Sequence, residues 1–292
     1  MAEATHLRQH AEEAAAALPP LLVAAERVAA TVAQGVHGRR RVGQGETFWQ
    51  FRQYQPGDPT TRIDWRESAK SQRLYVRETE WEAAQSVYLW RDGSASMDYA
   101  SVRDLPTKRG RADLLAVALA VLLVRGGERV SLLGTGLPPS HGRVVLERLA
   151  LLIARAGTGA SLPEFEPLPR HAHVVLIGDL LSPLAEIQAL VARFAANGLK
   201  GHLLQVLDPA EETLPFAGRV RFEGFEREEP LLVSRVETLR ESYAERLAHH
   251  RDGLAAIARS AQWSFGIHRT DRPPQTALLA LYAALAPQQA WR

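Results

Sequence analysis

The chain has 292 residues, enough for one large domain or two smaller ones with a substantial hydrophobic core. Its composition, 46% hydrophobic and 23% charged residues, is typical of a globular protein and argues against intrinsic disorder or a fibrous repeat. The absence of cysteine excludes disulfides, iron–sulfur clusters, thiol nucleophiles and cysteine-built zinc sites, and a formal net charge of only +2 does not predict nucleic-acid binding.

Residues 1–40 are predicted to form N-terminal helices and a basic linker. The alanine-rich segment 4–18 favours a helix that two prolines end, and a second helix is predicted to begin near Leu21. The segment Gly35 to Arg41 (GVHGRRR) is basic and flanked by glycine, which marks a boundary. The N-terminus lacks the pattern of a secretory signal, so we expect a cytoplasmic protein.

Residues 41–86 are predicted to form a small β module. Aromatic residues crowd the extended stretch from Thr47 to Tyr54 (TFWQFRQY), and a proline- and glycine-rich turn follows it. Strand-forming residues return at Leu74 to Thr79. The pattern fits a small β module.

Residues 87–292 alternate between apolar runs and helical stretches. The predicted strands are Val87 to Trp90, Val130 to Leu133, Val174 to Ile177, Leu203 to Leu207 and Ser264 to Ile267. The predicted helices are Arg109 to Arg125, Leu146 to Ala156, Leu184 to Asn197, Val236 to Ser260 and Thr276 to Leu285. This alternation predicts an α/β, Rossmann-like domain with a mostly parallel sheet covered by helices on both faces.

The longest apolar run of the chain, Leu114 to Val124, lies inside the first of these helices. It has about half of the roughly 20 residues that a membrane-spanning helix needs, so we expect a buried helix and no membrane span. At the start of the same helix, Arg111 and Asp113 are predicted to be solvated.

Two of the predicted strands are followed by aspartate. Asp92 begins the sequence Asp-Gly-Ser-Ala-Ser, which contains Ser94 and Ser96, and Asp179 follows the strand at Val174. Because ligands of parallel sheets bind beyond the carboxyl ends of the strands, these oxygens are candidates to hold Mg²⁺ or Mn²⁺. A cation held by neutral serines keeps affinity for one more carboxylate. The alternative is that Asp92 or Ser94 only closes a turn or caps a helix.

The serine loop resembles the metal-ion-dependent adhesion site of von Willebrand factor A domains. The resemblance implies that Asp92, Ser94 and Ser96 bind Mg²⁺, Mn²⁺ or Ca²⁺ together with a threonine and a later aspartate. Thr158, in the loop GTGASL, is similar to that threonine, with Ser161 as a nearby alternative, and Asp179 is similar to the later aspartate.

The β module carries a longer resemblance, to the bacterial domain of unknown function 58 family. The match includes residues that we expect to form a partner-binding surface, namely Arg52, Tyr54, Asp58, Arg62, Asp64 and Trp65. The segment from Asp208 to Pro215 extends it, so that it runs from about residue 40 to the C-terminus. It implies a von Willebrand factor A-like domain with a β-rich extension, acting as an adaptor or co-chaperone of a MoxR-type AAA+ ATPase. Many members have N-terminal membrane spans, a feature that we do not expect here.

Several enzyme motifs are absent from the sequence. The chain has no phosphate-binding loop of nucleotide hydrolases, no Gly-x-Ser-x-Gly elbow, no His-Glu-x-x-His and no dinucleotide-binding glycine pattern after a strand. We therefore expect a non-enzymatic protein that binds an acidic client or partner. Two alternatives stay open: a metal-dependent phosphoesterase that uses the same cation site, and a structural scaffold without metal.

Overall fold

The computed structural model describes residues 20–36, 48–55, 60, 63–71, 73–79, 84–225 and 230–285. The chain divides into two compact units. One is Gly38–Ala84, the two-stranded unit, and the other combines Met1–His37 with Gln85–Arg292, the α/β unit. The sequence prediction had treated residues 1–40 as a segment separate from the α/β domain.

The α/β unit is built on a five-stranded sheet. Its strands are β3 (Ser86–Arg91), β4 (Arg129–Leu132), β5 (His173–Gly178), β6 (Lys200–Leu207) and β9 (Ser264–Arg269). They pair in the order β4-β3-β5-β6-β9, and every pairing is parallel. These pairings confirm the predicted parallel α/β sheet. The apolar runs used for the prediction, such as Val174 to Ile177, are buried on both faces of the sheet.

Helices cover both faces of this sheet. The helices of the α/β unit are α1 (Pro20–Val36), α3 (Lys108–Arg125), α4 (Arg143–Arg155), α5 (Leu184–Ala196), α6 (Pro209–Thr213), α7 (Arg240–Ser260) and α8 (Pro274–Leu285). One apolar cluster joins α1, α3, α4 and α8 to sheet residues such as Leu89 and Val175. A second joins α5 and α7 to residues such as Trp90 and Leu176 on the opposite face.

Helix α1 belongs to the core of the α/β unit. Its side chains Leu22, Ala25, Ala29 and Val32 are buried, and the helix packs against α3 and α8. Their spacing of three or four residues places them on one helical face. Because α1 covers its outer side, α3 is buried along most of its length, as the apolar run from Leu114 predicts. The predicted helix 4–18 lies outside the described residues.

The two-stranded unit contains β1 (Phe48–Gln53) and β2 (Tyr75–Thr79), which pair antiparallel. A single-turn helix, α2 (Trp65–Ser68), precedes β2. Asp64 begins this helix, and its Oδ1 accepts a hydrogen bond from the backbone N–H of Glu67 at 3.0 Å.

A short hairpin that the sequence analysis did not predict joins α6 to α7. It consists of β7 (Val220–Phe222) and β8 (Leu231–Val233), paired antiparallel. Among the described residues, no helix is both long enough and apolar enough to cross a membrane.

Candidate functional site

The candidate site lies where the sheet changes its winding direction. The chain passes from β3 to β4 on one side and then returns to β5 on the other side of β3. Ligands of open α/β sheets bind at such a switch point, beyond the carboxyl ends of the strands. Asp92 follows β3 and Asp179 follows β5, so the two carboxylates stand on the adjacent strands that form the switch point.

Asp92 is fully buried. Its Oδ1 accepts hydrogen bonds from the backbone N–H and the hydroxyl of Ser94, at 2.8 and 2.6 Å. Its Oδ2 is buried and has no hydrogen-bond partner among the described residues. A Cβ at Gly178 would lie 2.6 Å from the Asp92 Cβ, so glycine is what lets β5 end this close to the carboxylate.

Two serine hydroxyls connect Asp92 to Asp179. The Ser94 and Ser96 oxygens are 3.0 Å apart, and the Ser96 hydroxyl donates to Asp179 Oδ2 at 2.7 Å. Each hydroxyl has a single proton. When Ser94 donates to Asp92 and Ser96 donates to Asp179, no proton remains between the two serine oxygens, and their lone pairs face each other. A cation, or a proton on Asp92, would relieve this convergence of oxygens.

The loop that carries Thr158 contacts the serine loop through its backbone. The N–H of Gly159 donates to the carbonyl of Gly93 at 2.6 Å, and the N–H of Gly93 donates to the carbonyl of Ala160 at 3.2 Å. The Thr158 side chain is exposed, and none of the hydrogen bonds described above involves it. The alternative, Ser161, accepts a hydrogen bond from the Ser182 hydroxyl at 3.1 Å.

Two charged residues that the sequence analysis did not assign complete the cluster. Lys108, the first residue of α3, is fully buried. Its Nζ donates to Asp179 Oδ2 at 3.0 Å and to Glu211 Oε1 at 2.6 Å. A usable signal was present, because Lys108 is one of only three lysines in a chain whose positive charges are otherwise arginines, and it begins the helix that holds the longest apolar run.

The electrostatics of the cluster reflect burial and close charges. Burial raises the pKa of Asp92 to about 7, and the negative charge of Asp179 adds to that shift. Burial also raises the pKa of Glu211. Burial lowers the pKa of Lys108, but Asp179 and Glu211 outweigh it, so its pKa is raised and the ammonium form persists.

The first turn of α3 is less exposed than the sequence suggested. Arg111 is buried and donates to the carbonyls of Thr270 and Arg272, each at 2.8 Å. Asp113 is 2.7 Å from the Nε of buried Arg91. The predicted solvation of Arg111 and Asp113 is therefore wrong, since the helix start packs against the ends of β3 and β9.

The residues of the predicted partner surface are described only in part. The backbone N–H of Tyr54 donates to the carbonyl of Leu74 at 2.8 Å, and its side chain is half-buried. Asp64 caps α2, as described above, and Trp65 is 66% exposed. Arg52 lies in β1, while Asp58 and Arg62 lie outside the described residues.

The oxygen chemistry of the cluster fits a hard divalent cation. Nowhere in the described ranges do three or more Asp, Glu or His side chains form a group that could hold a metal ion. The candidate site instead offers two carboxylates and two hydroxyls, which is the donor type that Mg²⁺ and Mn²⁺ prefer. The orphaned Oδ2 of Asp92 is the observation that favours a missing cationic partner.

A family model matches more than half of the chain. The model of a family described as "Protein of unknown function DUF58" matches residues 50–253. Uncharacterized proteins Rv1480 of Mycobacterium tuberculosis and Mb1516 of Mycobacterium bovis are 29% identical over 274 residues, covering 88% of this chain and 85% of each relative. The family match therefore spans parts of both units.

Two solved structures are also similar. One is an aerotolerance-related membrane protein from Bacteroides fragilis, with 17% identity, a TM-score of 0.43, and coverage of 69% of this chain and 98% of that chain. The other is the conserved hypothetical protein BatB from Bacteroides thetaiotaomicron, with 15% identity, a TM-score of 0.43, and coverage of 68% of this chain and 98% of that chain.

Proposed function

The chain belongs to the family described as Protein of unknown function DUF58, and from this premise we propose that it is a non-enzymatic adaptor. It holds a divalent cation at Asp92 and binds a carboxylate of an acidic partner protein there. The resemblance to von Willebrand factor A domains supports the cation site. The resemblance to the family's ATPase-associated members supports a MoxR-type AAA+ ATPase as the partner.

One observation carries the proposal: a fully buried carboxylate at the switch point has an oxygen without a hydrogen-bond partner in the part of the chain that the structure describes. Burying a charge without compensation is costly, so a protein that retains Asp92 there needs a cation or a proton to stabilise it. Ser94, Ser96 and Asp179 face the same place and would hold the ion with Asp92. When bound, such an ion supplies a coordination position for a carboxylate of the partner.

The surroundings of the cluster favour a protein as the partner. Leu181, two residues after Asp179, is exposed, and its N–H donates to Asp179 Oδ1 at 3.3 Å. Exposed Phe225 stacks edge-on against Tyr99 with ring centroids 6.2 Å apart, and the carbonyl of Tyr99 accepts from the Lys108 N–H. Exposed apolar side chains beside a polar centre are typical of protein-binding surfaces.

Cation binding is tested by the melting temperature of the full chain in MgCl₂ and MnCl₂ titrations. A ligand bound only by the native state at 100 times its Kd adds about 2.7 kcal/mol of stability, so the melting temperature rises. We expect Asp92→Ala to abolish the rise. Asp104→Ala, which removes an exposed carboxylate from the loop before α3, is the matched control and keeps it. A wild-type chain without any rise would overturn the cation site.

Partner binding is tested by pull-down of a purified MoxR-type ATPase in Mg²⁺ and in EDTA. We expect retention by the wild type and Asp104→Ala in Mg²⁺ only, and loss of retention with Asp92→Ala. Equal retention in EDTA would refute the role of the cation, and no retention under either condition would refute the partner.

A further inference from the structure

We propose that Lys108 sets the cation affinity of the site, because its positive charge neutralises part of the carboxylate charge. Glu211 holds the Lys108 side chain in place. The inference rests on the proposed function, since it concerns the same cation site. It assigns roles to two residues that lie outside the serine loop.

The contacts of Lys108 are one-sided. Its Nζ reaches Asp179 and Glu211, at 3.0 and 2.6 Å, and these are the two ion pairs that it forms within the described chain. Asp92 is not among the hydrogen-bond partners of Lys108, and Asp92 Oδ2 has no partner within the described ranges. The ammonium therefore compensates one side of the cluster and leaves the Asp92 side for a second cation.

Both ends of the Lys108–Glu211 pair are fixed by other contacts. The backbone N–H of Lys108 donates to the carbonyl of Tyr99 at 3.1 Å as α3 begins. Glu211 Oε2 accepts from the backbone N–H of Asp208 at 2.8 Å, and the hydroxyl of Tyr243 donates to the Glu211 carbonyl at 2.6 Å. Because Glu211 is held in this way and the Lys108 side chain is itself buried, we expect the ammonium to stay in the cluster when a divalent ion enters.

The charge of the cluster gives the direction of the effect. With every group ionised, Asp92, Asp179, Glu211 and Lys108 together carry two negative charges, which one divalent cation balances. Without Lys108 the same groups carry three. Charge interactions in a buried site are much stronger than in water, so the lysine weakens cation binding and keeps the ion exchangeable. A cation that exchanges readily is consistent with a partner contact that forms and dissociates.

The test measures the Mn²⁺ affinity of the full chain by isothermal titration calorimetry at one fixed pH of about 8 for all variants. We expect Lys108→Met to bind about tenfold more tightly than the wild type or better, and Glu211→Gln to bind about tenfold more weakly. The double variant carries the wild-type net charge and is expected to return close to the wild-type affinity. Asp92→Ala, added to each variant, is expected to abolish binding.

Lys108→Met and Glu211→Gln are expected to change the Mn²⁺ affinity in opposite directions, and this distinguishes a role of the lysine charge from a purely structural role. If Lys108 only supported the fold, both variants would weaken binding, and that outcome would overturn the inference while the cation site stood. If Lys108→Met does not fold by circular dichroism, Glu211→Gln decides alone: unchanged or tighter binding overturns the inference. Absence of Mn²⁺ binding in the wild type and in every variant would instead overturn the proposed function.

Discussion

The carboxyl end of the five-stranded sheet and the two-stranded unit both carry residues of the sequence signature, but they hold them in opposite environments. At the sheet, Asp92 and Lys108 are fully buried and the charges contact one another through a short polar network. In the two-stranded unit, Asp64 is half-buried at a helix start and Trp65 is 66% exposed.

The difference shows how each region can contribute to function. Buried charges lower the stability of the folded state unless they are compensated. A bound ion should therefore change the free energy of unfolding most at the cluster beside the sheet. An exposed tryptophan changes little in the isolated chain, because its environment resembles that of the unfolded state. It contributes only when a partner covers it, since aromatic side chains dominate the energetics of interfaces.

The largest effect on stability is expected for Lys108→Ala. Removing the ammonium leaves buried Asp179 and half-buried Glu211 without their counter-ion, which should lower the free energy of unfolding by about 3–5 kcal/mol. Urea denaturation of the full chain measures this. Lys200→Ala, an exposed lysine on the same sheet, is the control and should change stability by less than about 0.5 kcal/mol.

The interior of the sheet offers a second comparison, because burial favours the neutral form of two of its histidines, His202 and His268. Burial lowers the pKa of His202 to about 4, below its ordinary 6.5, and its Nδ1 is 2.7 Å from the Ser264 hydroxyl. The unfolded chain therefore binds the proton more tightly. Stability should be complete above about pH 6.5 and fall, by up to about 3 kcal/mol, as the pH drops toward 4.

In urea denaturation series at several pH values, His202→Gln should remove its share of the acid-side loss and leave the share of His268, whose pKa burial also lowers to about 4. The exposed His141→Gln should leave the whole loss in place. If the free energy of unfolding fell equally steeply with decreasing pH in the wild type and in both variants, His202 would not contribute to the acid-side loss.

A smaller effect, with the opposite sign, is expected for Asp92→Asn in EDTA. The amide keeps an oxygen that accepts from Ser94 but carries no charge, so the unfolding free energy should rise by about 1–3 kcal/mol. Mg²⁺ should then stabilise the variant less than the wild type. Destabilisation in EDTA would indicate that the Asp92 carboxylate is already compensated within the cluster.

In the two-stranded unit, Asp64→Ala should cost about 1 kcal/mol, because it removes the side-chain acceptor that caps α2. Faster hydrogen exchange of the Glu67 amide measures this local loss. Asp64→Asn keeps an acceptor and should exchange almost as slowly as the wild type.

The smallest effect on stability is expected for Trp65→Ala, less than about 0.5 kcal/mol by urea denaturation, since the side chain is exposed. If residues of this unit form the predicted partner surface, the same variant should nevertheless reduce retention of the ATPase in the pull-down. Retention equal to the wild type would remove Trp65 from that surface.

Much of the fold was predictable from local pattern. Apolar runs such as Val174 to Ile177 belong to buried parallel strands, and the structure places strands there. Asp92 and Asp179 were predicted to meet because they follow strands of a parallel sheet, and a serine chain now joins them. The membership in the DUF58 family is confirmed, while the cation itself stays a prediction.

The sequence by itself determined three features: the alternation of strands and helices, the capping of α2 by Asp64, and the placement of polar residues after apolar runs. Each of them depends only on residues that are close together in the chain. Only the tertiary structure decided the packing of α1 against α3 and the burial of Lys108 between Asp179 and Glu211, which lie 71 and 103 residues away. Such contacts depend on how crossover connections bring distant segments together. Local periodicity reports which face of an element is apolar, but it does not report which distant charge will face a lysine.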